Sequence, residues 1–256
     1  MNRNDYSALL AEYRECARKM MFSTTTIDAF AEAATPKQLT NVVEILRIEL
    51  DTRAENRKVR MLRKAGFPIL KSLEDFDFSN IQYKDGYDTE ELCSLSFIEQ
   101  AENLVFFGPS GRGKSHLATA LGTAACNKGM EVRFYTASDL VYALSKAHRE
   151  DTLDKLYSSI EKASLIIIDE FGYIPFDVEG ARLLYQVISK SYEVRSLVFT
   201  SNIEFSHWGS ILADDSLAAA VIERIVHHGR LVIFGGTSKR MDNALMMGKG
   251  GNIAGC

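Results

Sequence analysis

The chain has 256 residues and a formal net charge of −4, from 30 Lys and Arg against 34 Asp and Glu. That balance excludes a uniformly basic nucleic-acid coat but leaves room for a local basic patch. Its 46% hydrophobic content suits a soluble globular protein, and no apolar run approaches the ~20 residues of a membrane span.

The N-terminus, Met1 to Tyr6, lacks the apolar core of a signal peptide, so a cytoplasmic protein is expected. Cys16, Cys93, Cys126 and Cys256 are scattered, with no C-x-x-C pair to suggest a disulfide framework or a zinc site. His227 and His228 are neighbours and read as structural or surface residues.

The first ~65 residues read as helical. Ser7 is placed to cap a segment carrying Leu9, Leu10, Tyr13 and Ala17. A break follows near Ser23 to Thr26, then a short helix from Ile27 to Ala34. Thr35-Pro36 starts a third helix, reaching Ala65, with Leu39, Val43, Leu46 and Leu50 at helical spacing. Its second half is basic: Arg53, Arg57, Lys58, Arg60, Arg63 and Lys64 against Glu55 alone. Positions 53, 57, 60 and 64 share one stripe, which reads either as a solvated face or as a track along a phosphate backbone.

Gly66-Phe67-Pro68 ends that helix. A connector follows over 67–100, its aromatics Phe67, Phe76, Phe78, Tyr83 and Tyr87 expected to pack on the main domain. From about 101, strands and helices alternate. Apolar runs at 104–107, 132–136, 165–168, 197–200 and 231–234 predict a parallel sheet covered on both faces, an α/β fold. The expected organisation is a helical region at 1–66, the connector at 67–100, the α/β domain at 101–247 and a flexible tail at 248–256.

Gly108-Pro109-Ser110-Gly111-Arg112-Gly113-Lys114-Ser115 fits the phosphate loop G-x-x-x-x-G-K-[ST] at every specified position. Chance gives this pattern in roughly one chain of this length in a hundred. The run Leu104 to Phe107 before it reads as a strand, and Lys114 to Cys126 after it as a helix. The loop's backbone N–H groups and the positive end of that helix suit a polyphosphate, with His116 in the first turn. Lys114 can reach the outer phosphates and Ser115 can hold Mg²⁺. A nucleoside triphosphate, ATP, is therefore expected.

Leu165 to Ile168 then ends in Asp169-Glu170. In an open α/β sheet ligands bind beyond the carboxyl ends of the strands. Asp169 is placed to hold Mg²⁺, and Glu170 to orient and deprotonate the attacking water. The strand Ser196 to Thr200 leads to Ser201-Asn202, where Asn202 would position water or sense hydrolysis beside the γ-phosphate. Arg224, on the amphipathic stretch Leu217 to Ile225, reads either as a finger given to a neighbouring subunit's nucleotide or as an internal salt-bridge partner.

With these motifs in order, the chain resembles the IstB family of transposition ATPases, relatives of the DnaC helicase loaders within the AAA+ class. The resemblance also rests on Leu50 to Arg57, Lys64 to Pro68, Leu73 to Phe78, Asp169 to Pro175, Tyr192-Glu193 and Thr200 to Gly209, and covers about residues 35 to 247. It implies an AAA+ ATPase that oligomerises on double-stranded DNA and assists an IstA-like transposase. It carries nucleotide-site roles to Lys114, Ser115, Asp169, Glu170 and Asn202, the inter-subunit arginine to Arg224, and a second sensing arginine to Arg240. Glu223 stands where the family has Asp, and Lys239 where it has an aromatic residue. DNA contact is expected from Arg53, Arg57, Lys58, Arg60 and Lys64. It is also expected around Lys146 and Arg149, where initiator and loader ATPases carry an extra helix. A replicative helicase loader shares the same core and is the main alternative. A monomeric small-molecule kinase would need an acceptor domain and an arginine-rich lid, and neither is visible.

Overall fold

The structure is a computed structural model. It describes residues 3–84 and 86–239, without the side chains of Arg3 and Asn4. The chain divides into two compact units, Met1–Arg60 and Met61–Cys256.

The first unit holds α1 (Arg3–Lys19), α2 (Thr24–Ala33) and most of α3 (Pro36–Ala65). Helix α1 is already under way at Arg3, so Ser7 lies inside it rather than capping it. Ser23 caps α2 by accepting from the Thr26 N–H at 3.3 Å. At the start of α3, the Thr35 N–H donates to Gln38 Oε1 at 2.8 Å and the Gln38 N–H donates to Thr35 Oγ1 at 3.4 Å. That reciprocal pair satisfies two of the helix's orphan donors. Tyr13, Ala17, Ile27, Ala31, Leu39, Val43 and Leu46 form this unit's core.

The second unit carries β1 (Ile81–Tyr83), α4 (Thr89–Ser94), α5 (Ser96–Glu99), β2 (Asn103–Phe107), α6 (Lys114–Asn127), β3 (Val132–Thr136) and α7 (Ala137–Arg149). It continues with α8 (Leu153–Ile160), β4 (Leu165–Phe171), α9 (Val178–Ser191), β5 (Ser196–Ser201), α10 (Trp208–Ile211), α11 (Asp215–His227) and β6 (Gly229–Phe234). Among the described residues these strands form a six-stranded sheet in the order β1-β6-β2-β5-β4-β3.

Strands β2 to β6 are mutually parallel, as their continuous apolar runs predict. The sheet is nevertheless mixed. Strand β1 lies antiparallel on β6, with Ile81 opposite Phe234 and Tyr83 opposite Val232. Two half-buried residues either side of an exposed Gln82 give no apolar run, so this edge is invisible to a search for buried strands.

Successive strand residues face opposite sides of the sheet. Ile166, Ile168, Leu197 and Phe199 pack under α7, α9 and α11. Leu165, Ile167, Val198 and Phe106 pack under α6 and the connector helices, and Met61 and Ala65 at the end of α3 join that core. The chain leaves β2 through α6 to reach β3 at the far edge, and β5 and β6 flank β2. That reversal opens a crevice at the carboxyl ends of β2, β4 and β5. No helix among the described residues is long and apolar enough to cross a membrane.

Candidate nucleotide site

The loop between β2 and α6 has the backbone its glycines permit. Gly108 holds φ +150° and Gly111 φ +80°. Sterics also demand glycine at both. A Cβ on Gly108 would lie 2.4 Å from the Phe234 carbonyl oxygen, and one on Gly111 2.2 Å from Ser238 Oγ. Helix α6 then starts from Gly113 with no side-chain cap, which leaves its first N–H groups for an anion. Lys114 Nζ donates to the carbonyls of Gly108 at 2.6 Å and Pro109 at 2.8 Å, so its ammonium lies back over the loop.

Three side chains from three elements converge beside the loop. Ser115 Oγ, on α6, donates to Asp169 Oδ1 on β4 at 2.8 Å. Thr200 Oγ1, on β5, donates to the same carboxylate oxygen. Asp169 is 6% exposed and Thr200 1%, so burial and these two hydroxyls fix the carboxylate in place. A hydroxyl and a carboxylate in contact are hard oxygen donors of the kind Mg²⁺ takes, so the residues fit that ion.

Glu170 is aimed differently, for a backbone reason. Ile168 pairs with Phe199 and Phe171 with Ser201, so three steps on β4 match two on β5. The extra residue makes a bulge, a device that re-aims side chains beside functional sites. Glu170 sits in it at φ +59°, a costly conformation for a residue with a Cβ. Its N–H donates to Thr200 Oγ1 at 3.0 Å, so the hydroxyl that fixes Asp169 also pins the bulge. Asp169 stays buried while Glu170 is exposed and lines the cavity.

That cavity measures about 940 Å³ and is lined by Ser110, Gly111, Lys114, Ser115, Glu170 and Asn202, among others. Thr200 also lines it, whereas the sequence pattern points to Asn202 at this strand end. The available signal was a small hydroxyl ending the strand next to the one that carries the acids. His116, Phe76 and Asp75 line another part. Burial, with Lys71 and Lys239 nearby, pushes the His116 imidazole below its usual range. Arg112 does not line the cavity, and its Nε and Nη1 are buried with no hydrogen-bond partner among the described residues.

The sequence model of the IstB-like ATP binding protein family matches residues 19–246. The chain belongs to this family. It is 38% identical over 200 residues to a Bacillus thuringiensis subsp. berliner protein named for insertion sequence IS232 and ATP binding, covering 78% of this chain and 80% of that one. It is 35% identical over 230 residues to a Pseudomonas aeruginosa protein named likewise for insertion sequence IS21, covering 87% and 85%. The fold is similar to AMPPCP-bound DnaA from Aquifex aeolicus, with a TM-score of 0.55 at 17% identity over 69% of this chain and 54% of that one. It is also similar to DnaI, with a TM-score of 0.51 at 18% identity over 71% and 93%. The architecture is thus an AAA+ P-loop core preceded by helices.

In this IstB-like chain the segment after β6 closes onto the phosphate loop. The Lys239 N–H donates to the Gly111 carbonyl at 3.1 Å, and the Gly235 N–H to the Asn80 carbonyl at 2.9 Å. Lys239 Nζ pairs with Asp77 at 2.8 Å and stands 5.8 Å from the Phe76 ring centroid. The hydrogen bond from Lys239 holds the Asp77 carboxyl well below the usual range. A cation over a ring thus occupies the place where the family resemblance implied an aromatic residue. Arg240 lies outside the described residues.

Arg224 is kept away from its own chain's loop. Its carbonyl and that of Ile225 accept from Asn103 Nδ2, at 3.5 Å and 3.4 Å. Asn103 opens β2, whereas the loop follows Phe107, about 13 Å further along the strand. The guanidinium donates to the Ala220 carbonyl at 2.9 Å and lies 5.1 Å from the Tyr185 ring centroid. Among the DNA-contact candidates, Arg53, Arg57, Arg60 and Lys64 are exposed along α3. Arg53 pairs with Glu49 at 2.7 Å, and Lys58 with Glu55 at 3.4 Å. Lys146 and Arg149 are exposed in the last turn of α7.

Proposed function

We propose that the protein is an AAA+ ATPase that hydrolyses ATP while assembled on double-stranded DNA, and that it assists a transposase. The observation that carries the reading is the joint placement of Ser115, Asp169 and Thr200 beside a glycine-built phosphate loop, with Glu170 turned into the cavity by a bulge. The loop's backbone N–H groups and Lys114 bind the phosphates. Ser115 and Asp169 would hold Mg²⁺, which when bound neutralises charge on the β- and γ-phosphates. Glu170 takes a proton from the attacking water at its carboxylate, and Asn202 positions that water. Arg224, remote from its own loop, acts on the nucleotide of the adjacent protomer, so turnover requires assembly.

The relatives named for insertion sequences support transposition as the setting, and the exposed basic stripe from Arg53 to Lys64 supports duplex DNA as the substrate of assembly. A gel-shift titration with duplex DNA and a slowly hydrolysed ATP analogue tests the whole reading. Retardation that needs the analogue, and that vanishes for Lys114→Ala, is the expected result. DNA binding indifferent to nucleotide would overturn it. Pull-down with a transposase against a hexameric helicase separates the transposition role from helicase loading.

A further inference from the structure

A second cluster lies away from the nucleotide. Glu193, in the turn between α9 and β5, meets His227 and His228 at the end of α11. One ligand atom from each lies within 4.8 Å of the other two. His228 Nε2 is 2.8 Å from Glu193 Oε1. The His227 and His228 ring centroids are 4.6 Å apart. We infer that these three side chains form a binding site for a divalent transition metal of the zinc class.

Two imidazoles and a carboxylate are the mixed N/O donor set that Zn²⁺ accepts, with a fourth position left for water. Bonds of about 2.1 Å in tetrahedral geometry put donor atoms ~3.4 Å apart. One pair of donors stands at 2.8 Å and all three lie within 4.8 Å of one another, a spread that includes that value. Glu193 and His227 are exposed and His228 is half-buried, so their side chains have room to rotate toward a shared ion.

The backbones beneath are fixed. The His228 carbonyl accepts from the Asn103 N–H at 2.6 Å, which ties it to the first residue of β2. Glu193 holds φ +55° in a turn where the N–H groups of Val194 and Arg195 both donate to the Ser191 carbonyl at 3.0 Å. The Tyr192 hydroxyl contacts His227 Nδ1 at 2.9 Å, the kind of outer contact that orients a metal-binding imidazole, and leaves Nε2 as the donor. A bound ion would clasp the α9–β5 turn to the end of α11, three residues beyond Arg224.

The test is calorimetric titration of Zn²⁺ into the full chain freed of any histidine tag. One ion per chain is expected. The double variant His227→Ala/His228→Ala, and separately Glu193→Gln, should each lose affinity by at least the roughly 10–100-fold that even outer partners are worth. Thermal unfolding of the metal-free variants checks that they fold, and the exposed Glu193→Gln serves alone if the double variant does not. Bound Co²⁺ should show no thiolate charge-transfer absorption. Zinc binding unchanged in the variants, no binding by the parent chain, or a thiolate signature from the cysteines would each overturn the site.

Discussion

Thr200→Val removes one hydroxyl while nearly keeping the side chain's shape, and it isolates a link unique to this arrangement. That hydroxyl donates to the buried Asp169 carboxylate and accepts from the Glu170 N–H. A hydrogen bond to a charged group contributes about 1.5–3 kcal/mol and a neutral one about 0.5–1.5. Ser115 still serves Asp169 in the variant, so the expected loss is about 2–4 kcal/mol. At roughly 2–4 °C per kcal/mol for a unit of this size, Tm should fall by about 10 °C. Thr200→Ser keeps both hydrogen bonds and loses one buried methyl, about 1 kcal/mol. Turnover should separate the pair further. The valine variant loses the pin on the bulge and drops at least about tenfold, while the serine variant stays near the parent. Calorimetric melting beside steady-state phosphate release measures both. If valine and serine melt within a degree of each other and turn over alike, Thr200 does not hold this site together.

Glu170→Gln should bind nucleotide within about threefold of the parent yet lose about 10²–10⁴ in turnover, because the amide cannot take the water's proton; a phosphate-release assay on DNA-bound protein reads this. Arg224→Ala should leave analogue binding intact and cut DNA-stimulated turnover by about 10³-fold or more, and an unchanged rate would reassign Arg224 to packing on Tyr185. Arg57→Ala with Lys58→Ala should flatten the slope of log affinity against log salt by about 1.8, at ~0.9 per phosphate contact, and a slope equal to the parent's would remove α3 from the DNA interface.

The parallel strands were legible because burial on both faces demands continuous apolar runs such as Leu165 to Ile168. The phosphate loop was legible because the G-x-x-x-x-G-K-[ST] spacing carries its own geometry. Strand β1 was not, since Ile81-Gln82-Tyr83 is held by its pairing with β6 rather than by its own apolarity. Helix α4 carries a local signal without any apolar run: Asp88 caps it by accepting from the Glu91 N–H at 2.8 Å, an acidic counterpart of the capping box. Nothing in Asp169-Glu170 as letters announces a bulge. Two adjacent acids on a regular strand would face opposite sides of the sheet, and only the mismatch with β5 lets one stay buried while the other enters the cavity. Glu193 and the two histidines are 34 residues or more apart in sequence, so only the fold reveals their proximity.

The connector has more to do with the site than an aromatic packing strip would. By pairing with β6, β1 carries Asn80, Asp77 and Phe76 to the side of the sheet where the phosphate loop lies. The chain that leaves β6 then runs between that connector and the loop. Gly235 is bonded to Asn80, Lys239 to both Gly111 and Asp77, and Ser238 Oγ fills the space a Cβ on Gly111 would need. Backbone and ionic contacts therefore stitch the 235–239 segment to two others that lie more than a hundred residues before it, and a shift in 235–239 cannot leave the Gly111 carbonyl where it was. The residue after Lys239 is Arg240, which the family resemblance assigns to sensing nucleotide.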